Sequence, residues 1–371
     1  MIINPFDVSK KNIIKEKNST VDIDEVIKYI STNYSKYLFT KNKDFFEGKI
    51  KEYICLKYCV DKSYNYKDII SSVLNKIFGY GVLQKYIDNK SVSDIRIVRY
   101  NLVYIKINGA WKIVDEKFNN KEEFRDYIKY CIVKNNGVIN YDNPIVIVSD
   151  KEYKLRIEAG ISPINYIDDN LIIRIHRFSN YNLNDLYKKK MLDEKSLKEL
   201  RYIINNRYST IIAGKGGSGK TTLLRTILTT FPDIIPMTVC EETSELFIEN
   251  KNIIQREIGM NKINNRIDLK TLLKHSLVMS NDIIVVGELK GEETSVFFDA
   301  INTGHIGFST VHADSIFTVI DRLVLLCKRD IKAQKYDEEF IKKILYSCIN
   351  CIIFMKDYKI EEIGNIEYDL K

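Results

Sequence analysis

The segment Gly214-Lys215-Gly216-Gly217-Ser218-Gly219-Lys220-Thr221 fits the spacing G-x-x-x-x-G-K-[ST] at every fixed position. Its flanks restrict the fold further. Thr210-Ile211-Ile212-Ala213 before it reads as a buried strand, and Thr222 to Leu228 after it reads as a helix. Glycines carry no Cβ, so successive backbone N–H groups can converge inward, and the helix N-terminus adds partial positive charge at the same point. A strand, such a loop and a helix form a cradle for the phosphates of a nucleoside triphosphate. Gly214, Gly216, Gly217, Ser218, Gly219 and Thr222 are the expected nucleotide contacts. Lys220 is expected to bridge the β- and γ-phosphates, and the Thr221 hydroxyl to bind Mg. The loop alone specifies a nucleoside triphosphate and leaves the reaction class open.

The rest of the chain divides around this motif. Residues 1–68 have helical patterning, as in Val26, Ile27, Ile30 and Tyr34, and read as a helical extension. Residues 69–180 read as a small α+β domain. Strands are expected at Ser93 to Val98, Lys154 to Ile157 and Leu171 to Ile175. Asn108-Gly109 marks a hairpin between Leu102 to Ile107 and Ala110 to Ile113, and a helix is expected from Lys121 to Asn135. Residues 181–371 alternate helix and strand. One amphipathic helix is expected from Asn184 through Asn206, and strands at Met237 to Cys240, Asp282 to Val286 and Phe308 to His312. Such alternation predicts an α/β domain, a mostly parallel sheet with helices on both faces.

Two acidic motifs and a histidine motif follow the loop. Glu241-Glu242-Thr243-Ser244-Glu245 stands at the end of a strand, where ligands bind in parallel sheets. One of these acids could deprotonate an attacking water; equally, acids gather at a helix N-terminus because its dipole favours them. Ile283 to Val286 ends in Gly287-Glu288, a hydrophobic strand closed by an acid that could hold Mg through water or polarise the nucleophile. His305 and His312 are two of four histidines and lie in the glycine- and threonine-rich run Thr303 to Ser315. No nearby Cys or third His completes a metal site, so a γ-phosphate sensor is the better reading.

Composition excludes several classes. With 45% hydrophobic and 29% charged residues, the chain reads as an ordinary globular protein. No stretch is apolar for long enough to span a bilayer, and Met1 to Phe6 lacks the basic and apolar regions of a signal peptide, so a cytoplasmic location is expected. The net charge of +7 is interleaved with acids, so nothing calls for nucleic acid as a partner. Seven scattered cysteines suit a reducing compartment. Cys348 and Cys351, and likewise Cys55 and Cys59, read as buried thiols rather than metal ligands.

The four motifs together resemble the secretion ATPases of type II and type IV secretion and type IV pili. That family carries a Walker A loop, an acidic box, a Walker B ending in Gly-Glu and a histidine box T-G-H-x-G-x-x-x-T-x-H-A, all in this order here. The resemblance covers roughly residues 75 to 330, including Val92-Ser93-Asp94-Ile95 and Leu171 to Phe178 upstream. The short N-terminal domain and the sequence Leu171 to Ser179 look most like Tad/Flp-type pilus assembly ATPases, with type IV secretion traffic ATPases close behind. The resemblance implies a RecA-like P-loop domain preceded by a PAS-like α+β domain. It implies a homo-hexameric ring on an inner-membrane platform protein, peripheral to the membrane through its partners. It implies roles as well: Glu241 activating water, Glu288 as the Walker B acid, and His305 and His312 near the γ-phosphate. Arg156, Arg174 and Arg177 would be supplied to the nucleotide by the preceding domain.

The sequence departs from the family in places. The run before Walker B is Val278-Met279-Ser280-Asn281-Asp282, without the arginines often present. Lys290 replaces an arginine and loses its bidentate fork. The box reads Glu-Glu rather than Glu-Asp. Two other readings therefore stand beside the motor: a nucleotide-gated scaffold with little turnover, and a DNA-translocating RecA-like motor.

Overall fold

Helical periodicity near the N-terminus gives way to alternating strands, and the fold follows that change. The computed structural model describes residues 13–14, 21–35, 37, 42–58, 66–176, 181–249, 252–258 and 267–366. The chain folds as two compact units, Met1–Arg177 and Phe178–Lys371.

In the first unit, a short antiparallel pair, β1 (Ile13–Ile14) and β2 (Val21–Asp22), precedes α1 (Ile23–Asn33), α2 (Lys43–Tyr58) and α3 (Lys67–Phe78). Asp22 caps α1 by accepting from the amides of Asp24 and Glu25. Val26, Ile27 and Ile30 share one face and are buried with Phe46, Ile50 and Ile54 of α2 and Ile69, Ile70 and Val73 of α3. The helical cluster thus runs past residue 69, where the α+β segment was expected to open, because the apolar face of α3 is covered by the other two helices.

After α4 (Gln84–Asp88) come β3 (Val92–Arg99), β4 (Leu102–Ile107), β5 (Ala110–Val114), α5 (Lys121–Lys134), β6 (Ile145–Asp150), β7 (Leu155–Gly160) and β8 (Asn170–Ile175). Among the described residues the strands form an antiparallel sheet of order β5-β4-β3-β8-β7-β6. Asn108 and Gly109 turn the β4–β5 hairpin with φ of 49° and 84°, as Asn-Gly permits. Phe124, Tyr127 and Ile128 of α5 pack on Ile95, Ile157 and Ile173 of the sheet.

The second unit contains α6 (Leu183–Lys188), α7 (Glu194–Asn205), β9 (Thr210–Gly214), α8 (Lys220–Thr230), β10 (Met237–Glu241), β11 (Ile253–Glu257), α9 (Leu269–Ser276) and β12 (Ile283–Val286). It continues with α10 (Glu293–Asn302), β13 (Ile306–Val311), α11 (Val319–Cys327), α12 (Glu338–Cys348), β14 (Cys351–Lys356) and β15 (Lys359–Asn365). The sheet order among the described residues is β11-β10-β12-β13-β9-β14-β15, and every neighbouring pair is parallel except β14–β15. Alternation sends successive residues to opposite faces. Ile284 and Val286 pack with Phe297, Leu323 and Leu345 from α10, α11 and α12. Ile283 and Val285 pack with Leu200, Leu223 and Leu224 from α7 and α8. Helices therefore cover both faces, and the fold is the RecA-like α/β arrangement.

Some elements differ from the sequence expectation. The helix expected from Asn184 to Asn206 is two helices. Asn182 forms a capping box with Asp185 on α6, Lys190 turns with φ of 60°, and Asp193 caps α7 by accepting from Ser196. The strands β6, β11, β14 and β15 were not anticipated. Cys348 and Cys351 are buried thiols. Cys55 is half-buried, its Sγ 3.0 Å from the Tyr66 hydroxyl, and Cys59 lies outside the described residues.

Candidate nucleotide site

Parallel strands bring their C-terminal ends to one edge of the sheet, and four of the sequence motifs meet there. Val311 lies opposite Ala213, Cys240 opposite Val286, and Val286 opposite Ser309. That register aligns the ends of β9, β10, β12 and β13, and so brings Gly214, Glu241, Glu288 and His312 to the same edge.

The loop from Gly214 to Gly219 is shaped by glycine. Gly214, Gly217 and Gly219 have φ of 147°, 76° and 97°, a region that favours glycine. A Cβ on Gly214 would lie 2.3 Å from the Met355 carbonyl oxygen. Gly219 is the N-cap of α8, with Lys220, Thr221 and Thr222 in its first turn. The Lys220 ammonium is buried and donates to the carbonyls of Gly214 (2.8 Å) and Lys215 (2.9 Å). Burial lowers its pKa, partly offset by the field of Glu288. The Ser218 hydroxyl is buried with no hydrogen-bond partner, a polar group aimed at nothing the protein itself supplies.

Glu288 is the electrostatic centre. Its Oε1 lies 2.7 Å from His312 Nε2 and its Oε2 lies 3.0 Å from Lys290 Nζ. Lys290 also reaches Glu242 at 3.4 Å. Burial works against the Lys290 charge, but Glu288 outweighs it and the pKa is raised. Burial, then the charge of Lys220, lowers the His312 pKa below its ordinary 6.5. Neutral at pH 7, that imidazole can donate one hydrogen bond and accept another. His312 also stands over the loop: a Cβ on Gly216 would lie 3.6 Å from its Cε1.

One expectation needs correction. His305 was expected beside His312, but it precedes Ile306, which pairs with Ile283 at the opposite end of the strands. The six residues between them along β13 amount to about 20 Å of extended chain. His305 Nδ1 instead lies 3.0 Å from the Ala300 carbonyl at the end of α10. Glu241, expected to activate water, stands at the end of β10 on the same sheet edge as the loop. It is 5% exposed, and its Oε1 accepts from the amides of Glu245 and Leu246, both at 3.1 Å. Burial pushes its pKa up to about 8 despite those bonds, with Glu245 and Glu257 adding to the rise.

In the first unit, Arg156 and Arg174 are cross-strand partners, and Arg174 pairs in turn with Asp94, so the three share one face. Arg174 Nε donates to Asp94 Oδ1 at 3.1 Å. Burial, with these two arginines, pushes the His176 pKa down to about 4. Arg177 lies outside the described residues.

Sequence reasoning missed the partners that hold the site. Lys290 was read only as a lost arginine, and Lys215 Nζ reaches Asp314 at 3.6 Å. The β14–β15 hairpin, which lines a cavity beside the loop with Met355 and Tyr358, was also missed. The apolar run at Cys351 was its available signal.

The sequence pattern of the family described as type II/IV secretion system protein matches residues 142–353. An uncharacterized protein of Methanocaldococcus jannaschii is 34% identical over 141 residues, 38% of this chain and 52% of its own length. The chain thus spans about half the length of that relative. The type IV secretion system protein VirB11 of Bartonella quintana is 26% identical over 324 residues, 76% of this chain and 90% of its own. The crystal structure of the pilus retraction motor PilT with bound ADP shares the fold, with a TM-score of 0.55 at 18% identity over 74% of this chain and 77% of that one.

Proposed function

Since the chain belongs to the type II/IV secretion system protein family, we propose that it is a Mg-dependent ATPase whose homo-hexameric ring powers secretion or pilus assembly at the inner face of a membrane. One observation carries the reading: Glu288 stands between His312 and Lys290, and its charge is felt by the Lys220 ammonium of the glycine loop. The loop fits a triphosphate. Its glycines leave room for phosphate oxygens, and the orphaned Ser218 hydroxyl and the first amides of α8 await an acceptor. Thr221 and Glu288 would hold Mg, which when bound draws charge from the β- and γ-phosphates.

Lys220 leaves its two carbonyls for the phosphates and compensates the charge that grows during transfer. Glu288, the Walker B acid, polarises the nucleophile. His312, neutral and above the loop, donates to the γ-phosphate or to Glu288 and so reports which state is bound. Glu241 is the acid proposed to activate the attacking water, and its two amide contacts hold the loop of the acidic box. Arg156, Arg174 and Arg177 are proposed to reach the phosphates when the two domains close, coupling hydrolysis to movement. The domains in this reading are the helical extension, which α3 carries on to Phe78, the α+β domain to about residue 180 and the ATPase domain after it.

Docking on an inner-membrane platform protein would account for membrane action. Among the described residues no helix is long and apolar enough to cross a membrane. Tad/Flp-type pilus assembly and type IV secretion remain the two proposed settings.

The Lys290 contact favours a second reading, a nucleotide-gated scaffold, because an ammonium 3.0 Å from Glu288 engages that carboxylate in an ion pair that competes with water and Mg for it. Phosphate release separates the two. A motor hydrolyses ATP with Mg and sediments as a ring; a scaffold binds ATP and releases no phosphate above background. A strict monomer with ATP and Mg present counts against the ring.

A further inference from the structure

A triphosphate cradle leaves one part of a nucleotide without a partner, the base. The sheet order supplies its direction. The strands β12 and β13, which lead to Glu288 and His312, lie on one side of β9, and β14 and β15 lie on the other. With the reacting phosphate toward Glu288 and His312, the ribose and base extend toward the β14–β15 hairpin.

That side is furnished. A cavity of about 600 Å³ is lined by the loop residues Lys215 to Ser218 and by the hairpin, including Met355 and Tyr358. The hairpin turns through Asp357 and Tyr358, with φ of 47° and 60°, the backbone of a tight primed turn. A bulky side chain rarely adopts positive φ, and here it projects Tyr358 outward, 64% exposed. The ring nonetheless borders the phosphate loop. A Cβ on Gly219 would lie 3.3 Å from Tyr358 Cδ1, 3.3 Å from Met355 Cε and 2.6 Å from Met191 Cε. Met191 is tied to the same hairpin, since the Ile360 amide donates to its carbonyl at 3.1 Å. Thioethers pack well against aromatic rings. An exposed aromatic ring with two methionines beside it therefore borders the residue before the phosphate-binding lysine.

We propose that Tyr358, supported by Met191 and Met355, is the stacking platform for the nucleobase, and that it gives the site its preference for purine nucleoside triphosphates. The proposal rests on the triphosphate reading of the loop. A stacked base offers its π-face to the ring, and a purine offers more of it than a pyrimidine.

The test is calorimetric titration of the full chain with ATP, with CTP and with inorganic tripolyphosphate. Tyr358→Ala is expected to lower ATP affinity about tenfold, as loss of one stacked base does, to narrow the gap between ATP and CTP, and to leave tripolyphosphate within twofold. Tyr358→Phe is expected to keep all three affinities. In Tyr358→Trp the new indole should change its fluorescence with ATP and stay unchanged with tripolyphosphate; the chain's own tryptophan is Trp111. The platform is overturned if Tyr358→Ala leaves ATP affinity unchanged, or weakens ATP and tripolyphosphate equally. It is overturned too if the unmodified chain binds both ligands alike, a result that leaves the phosphate cradle standing. A chain that binds neither ligand sinks the cradle and the platform together.

Discussion

His312 Nε2 stands 2.7 Å from Glu288 Oε1 at the C-terminal edge of the sheet. The contact links the residue after β13 to the residue that closes the Walker B motif. With the His312 pKa lowered by burial and by Lys220, the ring is neutral at pH 7, so the pair is a close polar contact rather than a full ion pair, and Glu288 Oε1 accepts no hydrogen bond in this geometry.

Glu288→Gln keeps shape and hydrogen bonding but removes the charge that serves water and Mg. Phosphate release is expected to fall at least about 100-fold, with ATP binding retained, as for loss of a group acting in the transition state. Steady-state phosphate release and an ATP titration check it. Unchanged release would reject the role of Glu288.

The two histidines are expected to separate. His312→Ala should lower turnover by about tenfold or more, in the range for a positioned donor. His305→Ala should change it less than about threefold, because His305 sits at the other end of β13 against the Ala300 carbonyl. Equal losses would contradict the placement of His305.

Glu241 gives the protein a pH dependence of known sign. Its proton leaves near pH 4.5 in the unfolded chain and near 8 in the folded one. Between those values the folded state holds a proton that the unfolded state has released. This contribution to stability is whole below pH 4.5 and is lost as pH rises toward 8, at up to about 1.4 kcal/mol per pH unit. Glu241→Gln still accepts from the Glu245 and Leu246 amides and does not titrate, so its unfolding free energy should fall less steeply from pH 5 to 8. Its turnover should fall about 100-fold if Glu241 takes the proton, and stay within about threefold of the parent if Glu241 only positions the loop. Urea titrations at several pH values and a phosphate assay read the two effects.

Much of this was legible because local rules and the fold agreed. The glycine loop between strand and helix, the Asn108-Gly109 hairpin and the strand ending at Glu288 each obey a short-range pattern. What failed depended on distance in the fold. Leu186, Leu192, Leu197 and Leu200 keep one apolar face across a break, so periodicity ran two helices together although Asp193 marked a new cap. His305 and His312 sit in one motif, but an extended strand separates its two ends. The place of Glu241 at a strand end was legible in its motif, while its burial and its two amide partners became visible only in three dimensions. The β14–β15 turn uses Asp357-Tyr358, without the Gly or Asn that announces a hairpin.

Lys220→Ala removes the ammonium that the loop holds through the Gly214 and Lys215 carbonyls. ATP affinity should fall about 100-fold or more, because no other group replaces a charge placed between β- and γ-phosphates. The fold should survive, since the deletion takes a buried charge out of the protein and leaves the glycine backbone in place. Unchanged hydrolysis in a folded variant would reject the cradle.

The glycines of the loop should not be equivalent. Gly214 has φ of 147°, and an added Cβ would lie 2.3 Å from the Met355 carbonyl oxygen, a backbone atom of the adjacent strand β14. Relief requires parting β9 from β14, whose pairing runs to Gly214 opposite Met355. Gly214→Ala should therefore destabilise the protein by about 3 kcal/mol, the upper range for overpacking, and abolish ATP binding. Gly217 has φ of 76° but nothing within 4 Å of its Cβ position, so Gly217→Ala meets only the left-handed penalty of about 1–2 kcal/mol. It should stay folded and bind ATP more weakly as the loop amides re-aim. Urea unfolding with ATP titration on both variants measures the difference, and a Gly214→Ala protein as stable as Gly217→Ala would contradict the close approach of β14 to the loop.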